Sequence, residues 1–290
     1  MKIYLSTFYS SDLKRSAKRF KEQAENMKIY DKIFLFEQSD LNDDFKKYVK
    51  SLLEIGKIKG YGYWVWQTYF HKKVLAQLND GDIYHWCDVG CHFNLNGKKR
   101  LLEYIEMLKE EPTGFLGFQY KNLEENNNFS YPNYMEYEYT KSDLIKFFGL
   151  KNDDPIIRSP QVWGGSFFVK KCKRSLEIMN EHYEITKNRF DLIDDDEEKF
   201  LHKSIPEFIQ HRHSQSVLSI IVKKAESKLL SAYESEWAID NQGNRTYDHL
   251  EFFPIIAKRD KQRNIVKRFW DRQKKNFSRR KNKFMGLFKK

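Results

Sequence analysis

Gly81-Asp82-Ile83-Tyr84-His85-Trp86-Cys87-Asp88-Val89-Gly90-Cys91-His92-Phe93-Asn94 is the stretch on which the reading of this chain turns. Gly81-Asp82 is a turn signal, and the apolar run from Ile83 to Cys87 is too short for a helix, so it predicts a buried strand. The run stops at Asp88, and Gly90 follows closely. An acid at the carboxyl end of a buried strand stands where open α/β sheets bind ligands. Carboxylate oxygen there suits a divalent metal or a ribose hydroxyl. A turn aspartate that caps the next element looks the same in sequence.

Upstream, Ile3 to Tyr9 predicts a first strand, with Ser10 and Ser11 as caps for the helix after it. Leu13, Ala17, Phe20, Ala24 and Met27 recur at steps of four and three and mark one apolar helix face. Ile33 to Phe36 predicts a second strand. Phe45, Tyr48, Val49 and Leu52 mark a second helix, which Gly56 can end. A third helix, from Trp66 to Leu78, leads into the Ile83 strand. Downstream, Leu101, Leu102, Ile105 and Leu108 mark another helix face, Gly114 to Tyr120 a strand, and Asn122 to Asn133 a polar surface loop. Tyr139 to Leu150 and the chain from Ser175 read as helical, and the acid run Asp194-Asp195-Asp196-Glu197-Glu198 as a solvated turn. Strands alternating with helices predict an α/β chain with a mainly parallel sheet covered on both faces.

Three further stretches resist explanation by periodicity. Lys59-Gly60-Tyr61-Gly62-Tyr63-Trp64-Val65-Trp66-Gln67 permits an irregular loop, and its aromatics suit either a wall for a base or sugar ring or a plug in the core. In Ser159-Pro160-Gln161-Val162-Trp163-Gly164-Gly165-Ser166 the glycine pair allows close approach of a ligand or a strand, and a β-bulge needs the same residues. His211-Arg212-His213-Ser214-Gln215-Ser216 puts hydrogen-bonding side chains before an apolar helix. Ser214 fits an N-cap, and the two histidines fit metal ligands, acid-base groups or phosphate contacts. His85, Cys87, Cys91 and His92 could ligate zinc, but structural zinc usually draws its ligands from two separated arms.

The 290 residues allow one large domain with an appendage. Net charge is +11, yet 15 of the 52 basic residues and only two of the 41 acids fall between Lys258 and Lys290. The body, 1–257, is therefore near neutral and offers no stripe for nucleic acid. The segment 258–290 is strongly basic, and Phe269, Trp270, Phe277, Phe284 and Phe288 interleave its cations, which fits an anionic membrane surface better than a disordered basic tail or a nucleic-acid arm. Three cysteines make no disulfide framework and suit a reducing compartment. No stretch reads as a signal peptide or a bilayer span.

Taken in order, Gly60 to Trp66, Gly81 to Cys91, Ser159-Pro160-Gln161 with Gly164-Gly165, and His211 to Ser216 resemble a family of bacterial glycosyltransferases of capsule, lipopolysaccharide or lipooligosaccharide biosynthesis. The resemblance covers roughly Met1 to Lys224. It implies a GT-A-like, Rossmann-like fold, a nucleotide-sugar donor and a glycan or lipid-linked glycan acceptor. It also implies a cytoplasmic enzyme peripheral to the inner face of the inner membrane. Asp88, His213, Ser214 and Gln215 match positions expected to carry catalysis. Tyr61, Tyr63, Trp64, Trp66, Asp88, Gln161, Gly164, Gly165, His211 and Arg212 match positions expected around the donor. The resemblance further implies a divalent metal, Mn or Mg. Asp88 matches the first acid of an Asp-x-Asp motif, while Gly90 replaces the second, which leaves Asp88, the Gly90 backbone and His213 as candidate ligands. Ser214 stands where relatives more often have Asp. These two departures fit an alternative, a nucleotide-sugar-binding protein of the same fold with impaired catalysis.

Overall fold

The strand predicted from Ile83 is one of six in a single sheet. In the computed structural model, which describes residues 1–123 and 128–259, the six are β1 (Ile3–Phe8), β2 (Lys32–Phe36), β3 (Ile83–Cys87), β4 (Phe115–Gln119), β5 (Val162–Lys170) and β6 (Lys228–Ser231). Their spatial order is β2-β1-β3-β5-β4-β6. β5 runs antiparallel to its neighbours β3 and β4, and the other pairings are parallel. The sheet is thus mainly parallel, as the alternation of elements predicts.

Helices α1 (Lys14–Asn26), α2 (Asp43–Glu54), α3 (Val65–Leu75), α4 (Lys98–Glu110), α5 (Lys173–Asn188) and α6 (His213–Lys224) cover both faces. Every side chain of β3 is buried, because each face of the strand has a helical layer against it. Tyr84 and Trp86 join a core with Phe70, Met179 and Ile220 from α3, α5 and α6. Ile83 and Cys87 point the other way, into a core with Phe20 of α1 and Ile105 of α4. Phe20 is fully buried, and its truncation to Ala would cost about 3–5 kcal/mol.

Local details depart from the sequence reading in four places. Ser10 and Ser11 do not cap α1; a 3-10 turn, Ser11–Leu13, leads into it, and the Ser10 hydroxyl bonds Asp12 instead. The helix expected from Tyr139 to Leu150 is two short pieces, Glu136–Tyr139 and Ser142–Phe147. The break falls beside Lys141, which is buried and donates from Nζ to the carbonyls of Asp191 and Asp194. The acid run is only partly solvated: Asp194 is buried with Lys57 at 2.6 Å, and Asp195 accepts from Tyr63 and Lys59. Ser214 lies inside the first turn of α6 rather than capping it.

His85 spends both ring nitrogens on Tyr30 and Ser166, and among the described residues no three His, Cys, Asp or Glu side chains gather as a metal site. That removes the zinc reading. No helix among the described residues is long and apolar enough to cross a membrane. The basic tail and its predicted membrane contact lie, beyond Arg259, outside the described residues.

Candidate functional site

A cleft of about 320 Å³ opens where the parallel strands end. Asp88 follows β3, Tyr120 follows β4, and the reversed β5 brings Trp163, Gly164 and Gly165 to the same end of the sheet. Gln210 to Gln215, which lead into α6, form one wall, and Lys59, Trp64, Gln67 and Arg259 complete the lining. This is the position at which doubly covered α/β sheets take ligands.

The backbone fixes Asp88 from two sides. Its N–H donates to the Gly165 carbonyl at 2.8 Å, and its carbonyl accepts from Cys91 N–H at 2.9 Å, closing a turn. Arg19 of α1 donates to the next carbonyls, of Val89 and Cys91, at 2.8 and 2.7 Å. The Asp88 side chain is exposed at the cleft. Gly165 is needed at its place: a Cβ there would sit 2.4 Å from the Trp163 ring. Opposite Gly117 the pairing of β4 with β5 shifts register, so the glycine pair does mark a bulge, and the bulged segment faces the cleft. Gln215 clamps it, accepting from Gly164 N–H at 3.1 Å and donating to Gln161 at 2.7 Å.

The aromatic stretch has a conformation that its composition did not disclose. Gly60, Tyr61, Gly62, Tyr63 and Trp64 all have positive φ, between 57° and 83°. For three residues with side chains this costs roughly 1–2 kcal/mol each. The turn is held by the Trp66 indole, which donates to the Gly60 carbonyl at 2.9 Å and stacks on Phe8 at 3.8 Å. Its effect is to set the Trp64 ring over Gly60 and on the cleft wall. Of the four expected wall aromatics, only Trp64 lines the cleft. Trp66 is buried in the core, Tyr61 packs near Phe8, and Tyr63 donates to Asp195 and stacks on His213 at 4.3 Å.

The histidines are braced rather than open. His211 donates to the Leu192 carbonyl at 2.9 Å, and its other nitrogen faces the Lys141 N–H. His213, at φ 52°, donates from Nδ1 to the Ile193 carbonyl at 2.9 Å. Burial lowers its pKa to about 4, so it is neutral at neutral pH, with Nε2 buried 3.6 Å from Asp195. Ser214 Oγ lies 2.9 Å from His182 Nε2. Gln161 is fully buried and hydrogen-bonds Glu136, Thr140 and Ser216, which removes it from contact with a ligand; it supports Gln215 from below.

The cations went unnoticed in the sequence, apart from Arg212. Lys59, Arg212 and Arg259 share the lining with Asp88, its one carboxylate among the described residues. Arg212 is caged by rings, its guanidinium 3.9 Å from Tyr139, 4.6 Å from Tyr134 and 5.7 Å from Tyr120. Lys59 pairs with Asp195 at 3.3 Å and Arg259 with buried Glu236 at 2.8 Å. Lys59 opens the glycine-aromatic stretch and could have been read as a phosphate contact with it. Arg259 fell on the tail side of the predicted boundary.

This donor set does not fit a divalent ion held by Asp88, Gly90 and His213. Gly90 does not line the cleft, the remaining nitrogen of His213 is turned toward Asp195, and among the described residues Asp88 is the one carboxylate of the lining. A second cleft, about 830 Å³, lies by Asn96, Lys99 and Lys121 and holds none of the expected residues; its Arg100 is satisfied by Glu234 at 2.7 Å and Glu103 at 2.8 Å.

No family model matches the chain, and no curated protein matches it. Among solved structures it is similar to a glycosyltransferase involved in glycosylation of the major capsid of PBCV-1, at 11% identity and TM-score 0.47, covering 88% of this chain and 92% of that one. It is similar also to mouse xyloside xylosyltransferase 1 in its apo form, at 9% identity and TM-score 0.42, covering 81% and 87%. A third is the galactosyltransferase LgtC with donor and acceptor sugar analogs, at 7% identity and TM-score 0.38, covering 81% and 75%. At such identities and TM-scores the likeness is one of outline, and the site's chemistry rests on this chain's own residues.

Proposed function

We propose that the chain transfers a sugar from a nucleoside-diphosphate donor to a cell-surface glycan or lipid-linked glycan of capsule, lipopolysaccharide or lipooligosaccharide type. The observation that carries this reading is the cleft at the strand ends, where, among the described residues, one exposed carboxylate, the rings of Trp64, Tyr120 and Trp163, and three cations converge. Trp64 offers its ring to a base, since stacking on an aromatic accepts any base. The cations suit a diphosphate. The amino end of α6, on the same wall, favours negative charge. Phosphate neutralisation, ring stacking and a proton acceptor are the parts that glycosyl transfer needs.

In this reading the acceptor oxygen bonds to the anomeric carbon while the bond from that carbon to the diphosphate oxygen breaks. The electron pair leaves on the diphosphate, and the acceptor's hydroxyl proton passes to Asp88, the one carboxylate of the lining. Gln215 and the glycine pair act as positioning residues, because they fix the strand whose carbonyl holds Asp88. The tail from Lys258, with its cations and aromatics, would hold the enzyme on the anionic inner face of the inner membrane.

The test is turnover of a panel of nucleotide sugars, read as nucleoside-diphosphate release with and without glycan acceptors. Asp88→Asn should abolish turnover and leave nucleotide binding in place. Unchanged turnover in that variant would remove Asp88 from the chemistry. One observation favours the second reading, a binding protein with impaired catalysis: Ser214, in the place of the expected Asp, is committed to His182. That reading predicts nucleotide binding without turnover, and a gain of activity in Ser214→Asp.

A further inference from the structure

We infer that Arg212, flanked by Lys59 and Arg259, does the work of a metal ion in this cleft, so that the diphosphate of a nucleotide sugar is bound, and leaves as nucleoside diphosphate, without a divalent cation. The inference rests on the donor reading above and specifies how that donor is held.

Three observations meet here. Among the described residues the lining has three cationic side chains and one carboxylate. Asp195 and Glu236 pair with two of these cations, so among the described residues the guanidinium left to meet an anion is that of Arg212. Among the described residues no second acid joins Asp88 in the lining, and Gly90, which has no side chain to offer a metal, does not line the cleft. Arg212 is held by π faces, with no carboxylate paired to it among the described residues. A guanidinium caged by rings is fixed in direction and keeps its N–H groups for an anion, which is the preorganisation that stabilises charge developing on a leaving group. Lys59 and Arg259 each have a carboxylate partner, so their share is smaller, and Arg212 is the anchor.

During transfer the electron pair of the broken sugar–oxygen bond settles on the terminal phosphate oxygen. Arg212 can donate two parallel N–H bonds to a phosphate, a geometry that Lys cannot reproduce. No redox partner or further reactant is required.

The experiment is calorimetry on the full chain, dialysed against EDTA, with uridine, guanosine, cytidine and adenosine diphosphates as probes, repeated with excess Mn. The expected result is that at least one diphosphate binds in EDTA, and that Mn leaves its affinity nearly unchanged. Arg212→Met should weaken that binding by about ten- to a hundredfold, the worth of a charge-assisted contact. Arg212→Lys should recover only part of the loss. Lys59→Met, at a half-exposed side chain, should give a smaller loss and serves if the Arg212 variant fails to fold. Binding seen only with Mn, or unaltered in folded Arg212→Met, overturns the metal-free clamp while leaving the donor reading intact. Failure of every diphosphate under both conditions would instead sink the donor reading itself.

Discussion

Replacing Gly60 by Ala separates the cost of a left-handed backbone from the work of the Trp64 ring. Gly60 has φ +58°, and a Cβ built on it lies 2.4 to 2.5 Å from three carbons of the Trp64 indole. The backbone term alone is about 1–2 kcal/mol for a side chain at positive φ. For a chain of this size that corresponds to a fall in Tm of roughly 2–8 °C. The steric term cannot be relieved in place, because the indole must swing away from Gly60 and therefore off the cleft wall. If Trp64 stacks on the base, losing it removes about 1–3 kcal/mol of binding, or roughly a 5- to 150-fold rise in Kd. Gly56→Ala is the matched control: φ is +83°, and a Cβ there meets nothing within 4 Å. It should lower Tm by a similar backbone amount and leave nucleotide affinity alone. The assays are thermal unfolding and titration calorimetry on both variants. Equal affinities in Gly56→Ala and folded Gly60→Ala would refute Trp64 as the platform.

Other consequences are equally direct. Glu136 is fully buried and accepts from Thr140, Gln161, Ser219 and Lys223, the last at 2.7 Å. Glu136→Ala strands the buried Lys223 charge and should cost about 3–5 kcal/mol by denaturant unfolding, whereas Glu136→Leu with Lys223→Met should lose less than either single change. Burial lowers the pKa of His85 to about 3 and of His182 and His213 to about 4, below an unfolded value near 6.5. The unfolded chain therefore binds more protons between these values. Stability is full above about pH 6.5 and falls toward about pH 4, by up to about 1.4 kcal/mol per pH unit for each histidine. A Tm that holds constant across this window would contradict the buried, neutral placement. Deleting residues 260–290, which spares Arg259, should abolish sedimentation with phosphatidylglycerol vesicles; unchanged sedimentation would end the membrane proposal.

The parts of this molecule that were legible in sequence are those governed by local periodicity. The Ile83 run, the apolar faces of α1 and α2, the stop at Gly56 and the bulge at Gly164-Gly165 all follow from side-chain spacing or from a glycine's missing Cβ. Asp88 was legible because a strand end and a turn carry a recognisable signature. The histidine stretch was not, because the partners of His211 and His213 are carbonyls of Leu192 and Ile193, in a segment whose acids made it read as solvent-facing. Burial of Asp194 depends on Lys57, more than a hundred residues away, and no local pattern reports it. The left-handed run from Gly60 to Trp64 was equally hidden: glycines permit such a turn but do not require it, and the tyrosines between them argue against it. Arg212 was visible as a residue but not as an anchor, since its cage comes from Tyr120, Tyr134 and Tyr139, far earlier in the chain.

The most direct measurement is a crystal structure of the chain grown with a bound nucleoside diphosphate. The base should lie against Trp64, the diphosphate within hydrogen-bonding reach of Arg212, and Asp88 beside the donor sugar, on the side from which the acceptor attacks. A nucleotide seated instead in the larger cleft near Arg100, or anywhere remote from Asp88, would contradict it.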